Sequence, residues 1–354
     1  MPRVSVVMTA YDDFRFIDET VESILRQDFS DYEFIVVDDG NGSDKAAIFA
    51  RLARRDPRIR IVSYETNAGP AEAGNRGIVQ SRGDIIVRTD HDDISEPQRI
   101  GRLVAALDAD PTLGLVGSCF TTIDEDGAPR EVIRMPGTDI EVRWASLFFN
   151  PFCHSSVAYR RSTFNAAGGY APTLLTTSDY DLWARMLLCC RAANLQESLV
   201  GYRLNSCGVT STYPQQSRAR ADSVRKRLWA RLGRPYDDVV AHDLAQFVAG
   251  FDIIHDAGRT HAYRIVLRLL RRFIAEVRSG RHTEDTDVIR LLVRTTVARV
   301  LADPPPNLAA TLNICWQAAL LEPAMAMKSF GRRLSEERKA LWEAALKHAK
   351  RRRS

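Results

Sequence analysis

At 354 residues, with 45% hydrophobic and 27% charged residues, the chain has the composition of an ordinary globular protein and suits roughly two domains of about 150 residues. Those values exclude a collagenous, mucin-like or wholly disordered polymer, and a formal charge of +4 is too small to mark a nucleic-acid partner without a local basic patch. No run approaches the roughly 18 consecutive apolar residues of a membrane span, and the opening MPRVSVVMTAYDD meets charge too early for a secretory signal, so the expected location is cytoplasmic.

From Val4 to about Leu204, short β-rich runs alternate with helical spacing. This predicts an α/β region with a mostly parallel sheet wrapped by helices. SVVMTA (5–10) reads as a buried strand, and Ile17, Val21, Ile24 and Leu25 give the helix over 16–27 its apolar side. EFIVVDDG is the second strand, 44–55 a helix, RIRIVSY (58–64) the third strand, 69–81 a helix, and DIIVRTDHDD (84–93) the fourth strand. The second and fourth strands both end in carboxylates. In open α/β sheets the ligand crevice lies beyond the carboxyl ends of the strands, so a nucleotide site is expected there. The loops after the first two strands lack G-x-G-x-x-G, and no P-loop is present, which disfavours hydride chemistry. The six cysteines, Cys119, Cys153, Cys189, Cys190, Cys207 and Cys315, show no paired C-x-x-C and read as buried thiols.

Beyond about residue 220 the strand signals stop. Helices are expected near 238–257, 260–278, 284–302, 308–320 and 335–350, with breaks at Gly258, Ser279-Gly280 and Pro304-Pro305-Pro306. The expected division is therefore an α/β domain over 1–220 and an all-helical region over 221–354.

The densest chemistry lies in Asp90-His91-Asp92-Asp93. Hard Mg²⁺ or Mn²⁺ takes carboxylate oxygens and completes its octahedron with phosphate oxygens and water, so one or two acids on a loop suffice. The same residues also suit a solvated turn with a helix N-cap at Asp93 or Ser95. Asp39, closing the second strand, can accept from a base N–H or a ribose hydroxyl, and Tyr11, just after the first, can stack on a base or fill the core. Asp179, in a helix beginning near 179, occupies an exposed first turn while Leu182 and Met186 face inward. A carboxylate there can take a proton from a hydroxyl, or simply complement the helix dipole. His154, in NPFCHSSVAYRRS, stands beside a strand and suits a hydrogen bond, the core or a ligand contact.

Taken in order, SVVMTAYDD, EFIVVDDGNGSD, NAGPAEAGNRGI, RTDHDDISEPQRI, LGLVGS, NPFCHSSVAYRRS, GGY and SDYDLWARM resemble glycosyltransferase family 2 over about the first 205 residues. The resemblance implies a GT-A fold, a Rossmann-like mixed sheet flanked by helices, and an inverting, metal-dependent hexosyl transfer from a nucleotide sugar, UDP-linked by preference. It implies that Thr9 and Tyr11 line the base pocket, Asp39 pairs with the base, and Asp90 and Asp92 form the D-x-D pair. Of these two, Asp90 lies near ribose or sugar and Asp92 holds Mn²⁺ or Mg²⁺ on the diphosphate. Asp179 matches the catalytic base, and His154, Asp181 and Trp183 are candidates for acceptor or diphosphate contacts. The implied acceptor is a saccharide or lipid-linked saccharide in surface-polysaccharide assembly. The other reading is a non-catalytic nucleotide-sugar or glycan-binding protein on the same scaffold. Three positions depart from the pattern: Ser178 stands where an acid commonly precedes the base, Gly74 replaces a frequent basic residue, and Asn205 stands where many members carry histidine.

The resemblance does not extend to the helical C-terminal region. Over 263–278 it sets Ile265, Val266, Leu269, Leu270, Phe273, Ile274 and Val277 apart from Arg264, Arg268, Arg271, Arg272 and Arg278, and it ends in the basic run Lys347–Arg353. Such segments can lie on an anionic membrane surface, which makes peripheral association an expectation.

Overall fold

Valine and isoleucine fill the runs that become the central strands, because a parallel strand is buried on both faces and needs apolar side chains on each. The computed structural model describes residues 1–206, 212–235, 259–279 and 286–302, with a few isolated positions between and after them. In chain order the first elements are β1 (Val4–Ala10), α1 (Ile17–Leu25), β2 (Tyr32–Asp39), α2 (Ala46–Ala53), β3 (Ile59–Tyr64), α3 (Pro70–Gln80), β4 (Ile85–Asp90), β5 (Ile94–Ser95) and α4 (Arg99–Ala109). There follow β6 (Leu113–Ile123), β7 (Pro129–Ile133), α5 (Asp139–Ala145), β8 (Ala158–Arg160), α6 (Arg161–Ala166), α7 (Ser178–Met186), β9 (Arg191–Arg203), α8 (Pro214–Arg231), α9 (Arg259–Ser279) and α10 (Thr286–Ala302). The chain forms two compact units, Met1–Leu228 and Trp229–Ser354.

The sheet runs β3-β2-β1-β4-β8-β6-β9-β5, with β7 added on β6. Its first four strands are parallel, as expected. Beyond them β8 is antiparallel to both β4 and β6, so the sheet is mixed rather than mostly parallel. Alternation along β1 divides the core. Val4, Val6 and Met8 meet Ile17, Val21 and Ile24 of α1 and Ile100 and Leu103 of α4. Val7 faces Ala73 and Ile78 of α3 and Trp183 and Met186 of α7. Pro70 opens α3 at the first turn, where its missing N–H costs nothing.

Gly77 lets α3 approach the sheet closely. A Cβ there would lie 2.6 Å from Val37 Cγ2 and 2.7 Å from Val7 Cγ1. Gly77→Ala is therefore expected to lower the melting temperature, because overpacking of about 1–3 kcal/mol outweighs the roughly 1 kcal/mol that alanine adds to helix propensity. A melt at or above the wild-type value would show that the strands yield at no cost.

In the second unit the helices expected over 260–278 and 284–302 are α9 and α10. Val266, Leu269, Leu270, Phe273, Ile274 and Val277 are all buried. This apolar side is packed within protein and offers no face for insertion into lipid. The helices expected near 238–257 and 308–320 lie largely outside the described residues. That near 335–350 and the basic run Lys347–Arg353 lie wholly outside them.

Candidate active site

The register of the parallel strands gathers their C-terminal ends. Thr9 of β1 pairs with Asp90 of β4, and Ala10 pairs with Asp38 of β2. Tyr11 follows at once and is 50% exposed, which leaves its ring open to stacking rather than committed to the core. Asn41 joins the two loops: its amide donates to the Ala10 carbonyl at 2.9 Å, and its Oδ1 accepts from the Asp12 N–H at 2.8 Å.

Asp39 is buried and accepts the N–H groups of Ala68 at 3.1 Å and Gly69 at 3.0 Å. Burial raises its pKa, with these two donors working the other way. Gly40 permits the contact. Its φ is +80°, and a Cβ there would stand 2.3 Å from the Asn67 nitrogen, so the turn after β2 lies directly against the loop that binds Asp39. Asp39 thus holds that loop in place with both of its carboxylate oxygens.

The acidic stretch is not a solvated turn. The strand ends at Asp90 rather than at residue 93, and Asp93 folds inward, fully buried, its Oδ1 accepting the Arg203 N–H at 2.8 Å. Burial, then the charges of Asp92 and Asp90, push the Asp93 pKa well up. Asp90 is matched by His154, whose Nδ1 lies 2.9 and 3.0 Å from the two carboxylate oxygens. Burial opposes charge on both groups, but their mutual attraction prevails: the Asp90 pKa falls and the imidazole pKa rises to about 10. His91 turns its Nδ1 to the Thr9 carbonyl, 3.2 Å away.

Asp92 is half-buried and accepts an amide hydrogen from Asn205 at 3.2 Å. Burial raises its pKa, and Asp90 adds to the shift against the opposing effect of His91. Among the described residues no three His, Cys, Asp or Glu side chains gather to hold an ion unaided. A hard oxygen donor short of positive charge, however, fits a divalent ion that arrives with phosphate oxygens of its own. Asn205 therefore stands beside Asp92 and also donates to Asp13 at 3.3 Å.

Asp179 lies in the first turn of α7, after Thr177 turns the chain with φ at 62°. It is partly buried rather than exposed, and its Oδ2 accepts the Asn150 amide at 2.7 Å. Two expected contacts face inward. Asp181 is buried, held by Arg185 at 2.7 Å and also paired with Arg227. Trp183 is fully buried, its ring 6.4 Å from that of His154. Asp181 is neutralised by its own helix and by α8, and Trp183 packs among core residues with its indole N–H unpartnered among the described residues. Trp183 nonetheless ties α7 to the acids, because Asp179, four residues earlier, lies on the same helix face one turn away.

Sequence reasoning missed four residues: Asn41, Asn150, Ser155 and Tyr170. Asn150 and Ser155 flank His154 in the NPFCHSS segment and Tyr170 closes GGY. Both segments carry more polar and glycine residues than packing requires, and that excess was the available signal.

The geometry has counterparts in known proteins. The family described as Glycosyl transferase family 2 matches residues 5–168. The putative glycosyltransferase EpsE of Bacillus subtilis is 32% identical over 211 residues, covering 58% of this chain and 74% of that protein. The O-antigen biosynthesis glycosyltransferase WbnJ of Escherichia coli is 30% identical over 209 residues, 57% of this chain and 80% of that one. Among solved structures, the mannosyltransferase PcManGT of Pyrobaculum calidifontis, in complex with GDP-Man and Mn²⁺, superposes with a TM-score of 0.53 at 20% identity over 92% of this chain and 86% of its own. S. aureus TarS (1–349) with UDP-GlcNAc gives 0.53 at 15% identity over 96% and 92%. At such identities the likeness is one of fold, and the fold is GT-A.

Proposed function

The chain belongs to glycosyltransferase family 2, and from that premise we propose that it moves a hexosyl group, with inversion, from a UDP-linked sugar to a hydroxyl of a saccharide or lipid-linked saccharide in surface-polysaccharide assembly. The transfer chemistry is assigned to residues 1–220, with the region from 221 onward as a helical accessory. One observation carries the reading. Asp179 sits one helical turn from Trp183, whose ring lies against His154, the partner of Asp90. Base and donor-side acids are thereby built into one cluster.

In this reading Tyr11 stacks on the base, Asp39 accepts from its N–H, and Thr9 lines the pocket. Asp90 and Asp92 would hold Mn²⁺ or Mg²⁺, which supplies neutralisation of the charge that develops on the departing diphosphate. Asp179 takes the acceptor's hydroxyl proton as that oxygen bonds to the anomeric carbon and the bond to the β-phosphate oxygen breaks. The proton ends on Asp179, and the single in-line displacement inverts the anomeric centre. The TarS complex with UDP-GlcNAc and the WbnJ description as an O-antigen enzyme support the donor and pathway class. The test is hydrolysis of a panel of nucleotide sugars with and without Mn²⁺, followed by mass detection. Release of UDP from one of them with metal is expected, and release from none would remove the proposal.

Membrane association, if electrostatic, would use the outer face of α9. Arg268, Arg271, Arg272 and Arg278 are exposed and make no ion pair among the described residues. Beside them, burial and then the charges of Arg268 and Arg272 lower the Arg234 pKa, so positive charge is crowded there. No helix among the described residues is long and apolar enough to cross a membrane. Co-sedimentation with anionic vesicles should rise at low salt and fall as the Debye length contracts below about 8 Å. The double variant Arg268→Glu, Arg272→Glu should reduce it while donor hydrolysis stays unchanged. A full-length protein that ignores anionic vesicles at low salt would show this face to be plain solvated surface.

A further inference from the structure

His154 touches no part of the machinery except Asp90, and everything around it works to keep it there. The geometry points to His154 as a positioning residue that sets the Asp90 carboxylate for the nucleoside diphosphate and its metal, braced in turn by Tyr170 and Gly74. This inference rests on the donor site proposed above.

The antiparallel register of β4 and β8, with Val87 opposite Ala158, carries the turn before β8 alongside the end of β4. Asp90 is consequently held twice. Its backbone N–H donates to Ser155 Oγ at 2.9 Å, and its two carboxylate oxygens straddle His154 Nδ1 at 2.9 and 3.0 Å. A carboxylate straddling one N–H donor in this way is hindered from turning about its own axis. The entropy of fixing it is then spent during folding rather than at binding.

The imidazole is itself fixed. Its Nε2 lies 3.0 Å from the Tyr170 hydroxyl. The rings of Tyr170 and Trp183 stand 6.0 and 6.4 Å away. Tyr170 is clamped by Asn75, which accepts its N–H and donates to its carbonyl, both at 2.9 Å. The Tyr170 ring lies over Gly74, where a Cβ would stand 3.2 and 3.3 Å from ring carbons. A side chain at position 74 would crowd the ring that braces His154. The buried Arg88 completes the shell, with Nε 3.4 Å from His154 Nε2 and NH1 donating to the Val7 carbonyl at 2.9 Å. Partners one step removed from a ligating group typically govern about 10–100-fold in metal affinity.

The test is calorimetry of UDP binding to the full chain with Mn²⁺, for wild type, His154→Ala, His154→Asn, His154→Gln and Tyr170→Phe. The alanine variant should bind about 10–100-fold more weakly. Asparagine places an amide N–H where Nδ1 stands and should recover most of that loss. Glutamine reaches the Nε2 position instead and should not. Tyr170→Phe should fall between wild type and alanine. If His154→Ala fails to fold, the comparison of asparagine with glutamine decides, since the two differ only in reach. Equal affinities for asparagine and glutamine, or wild-type affinity for alanine, would overturn the inference. Absence of UDP binding by the wild type itself would instead bring down the donor site, and this role with it.

Discussion

Asp179→Asn is expected to lower sugar transfer by about 10²–10⁴ while leaving UDP affinity close to that of the wild type. The amide keeps the size of the carboxylate and can still present an oxygen to the Asn150 amide, which stands 2.7 Å from Asp179 Oδ2. The local fold of α7 is thus preserved and only basicity is lost. The position matters as much as the charge. Asp181, two residues on, is also acidic, but Arg185 and Arg227 occupy it, so it cannot serve as a substitute base. Asp181→Asn should instead appear mainly as a loss of stability, because it removes the buried charge that Arg185 and Arg227 share. Steady-state transfer and UDP calorimetry on the two variants separate these outcomes. Undiminished transfer by Asp179→Asn would place the base elsewhere.

Asp92→Ala is expected to abolish the gain in UDP affinity that Mn²⁺ brings. Loss of a ligating oxygen should exceed the roughly 10–100-fold attached to partners one step removed. Asn205 does not stand ready to replace it, since it turns its N–H to Asp92 at 3.2 Å while its Oδ1 accepts from Arg15 at 3.0 Å. Asp90 remains, but it supplies only one of the two carboxylates proposed to hold the ion. His91→Ala makes the contrast, as His91 faces the Thr9 carbonyl and should leave metal-dependent binding nearly unchanged. Chelation of the metal should bring wild type and Asp92→Ala to the same affinity. A variant that still gains affinity on adding Mn²⁺ would refute the assignment.

The sequence alone determined three strands of the parallel half, β1, β2 and β4, because strands buried on both faces must be written as unbroken apolar runs, as SVVMTA, EFIVV and DIIV are. It also determined that acids would crowd one edge of that sheet, since Asp38, Asp39 and Asp90 close β2 and β4, and parallel strands place their C-terminal ends together. The apolar periodicity of α9 was equally legible, but not what covers it: the same stripe serves a lipid surface or a protein core, and only its burial settled the matter. The second half of the sheet was harder to read. β8 is three residues long, too short to show alternation, and β9 mixes polar and apolar residues irregularly because one strand faces several environments along its length. On α7, every side chain from Tyr180 to Ala184 is buried, so helical spacing could not tell which of Asp179, Asp181 and Trp183 would face a ligand. The pairing of His154 with Asp90 spans 64 residues, and that of Asn205 with Asp92 spans 113. No local pattern encodes such contacts. They exist because strand register brings distant turns to the same edge, where a buried carboxylate must find a donor or a cation.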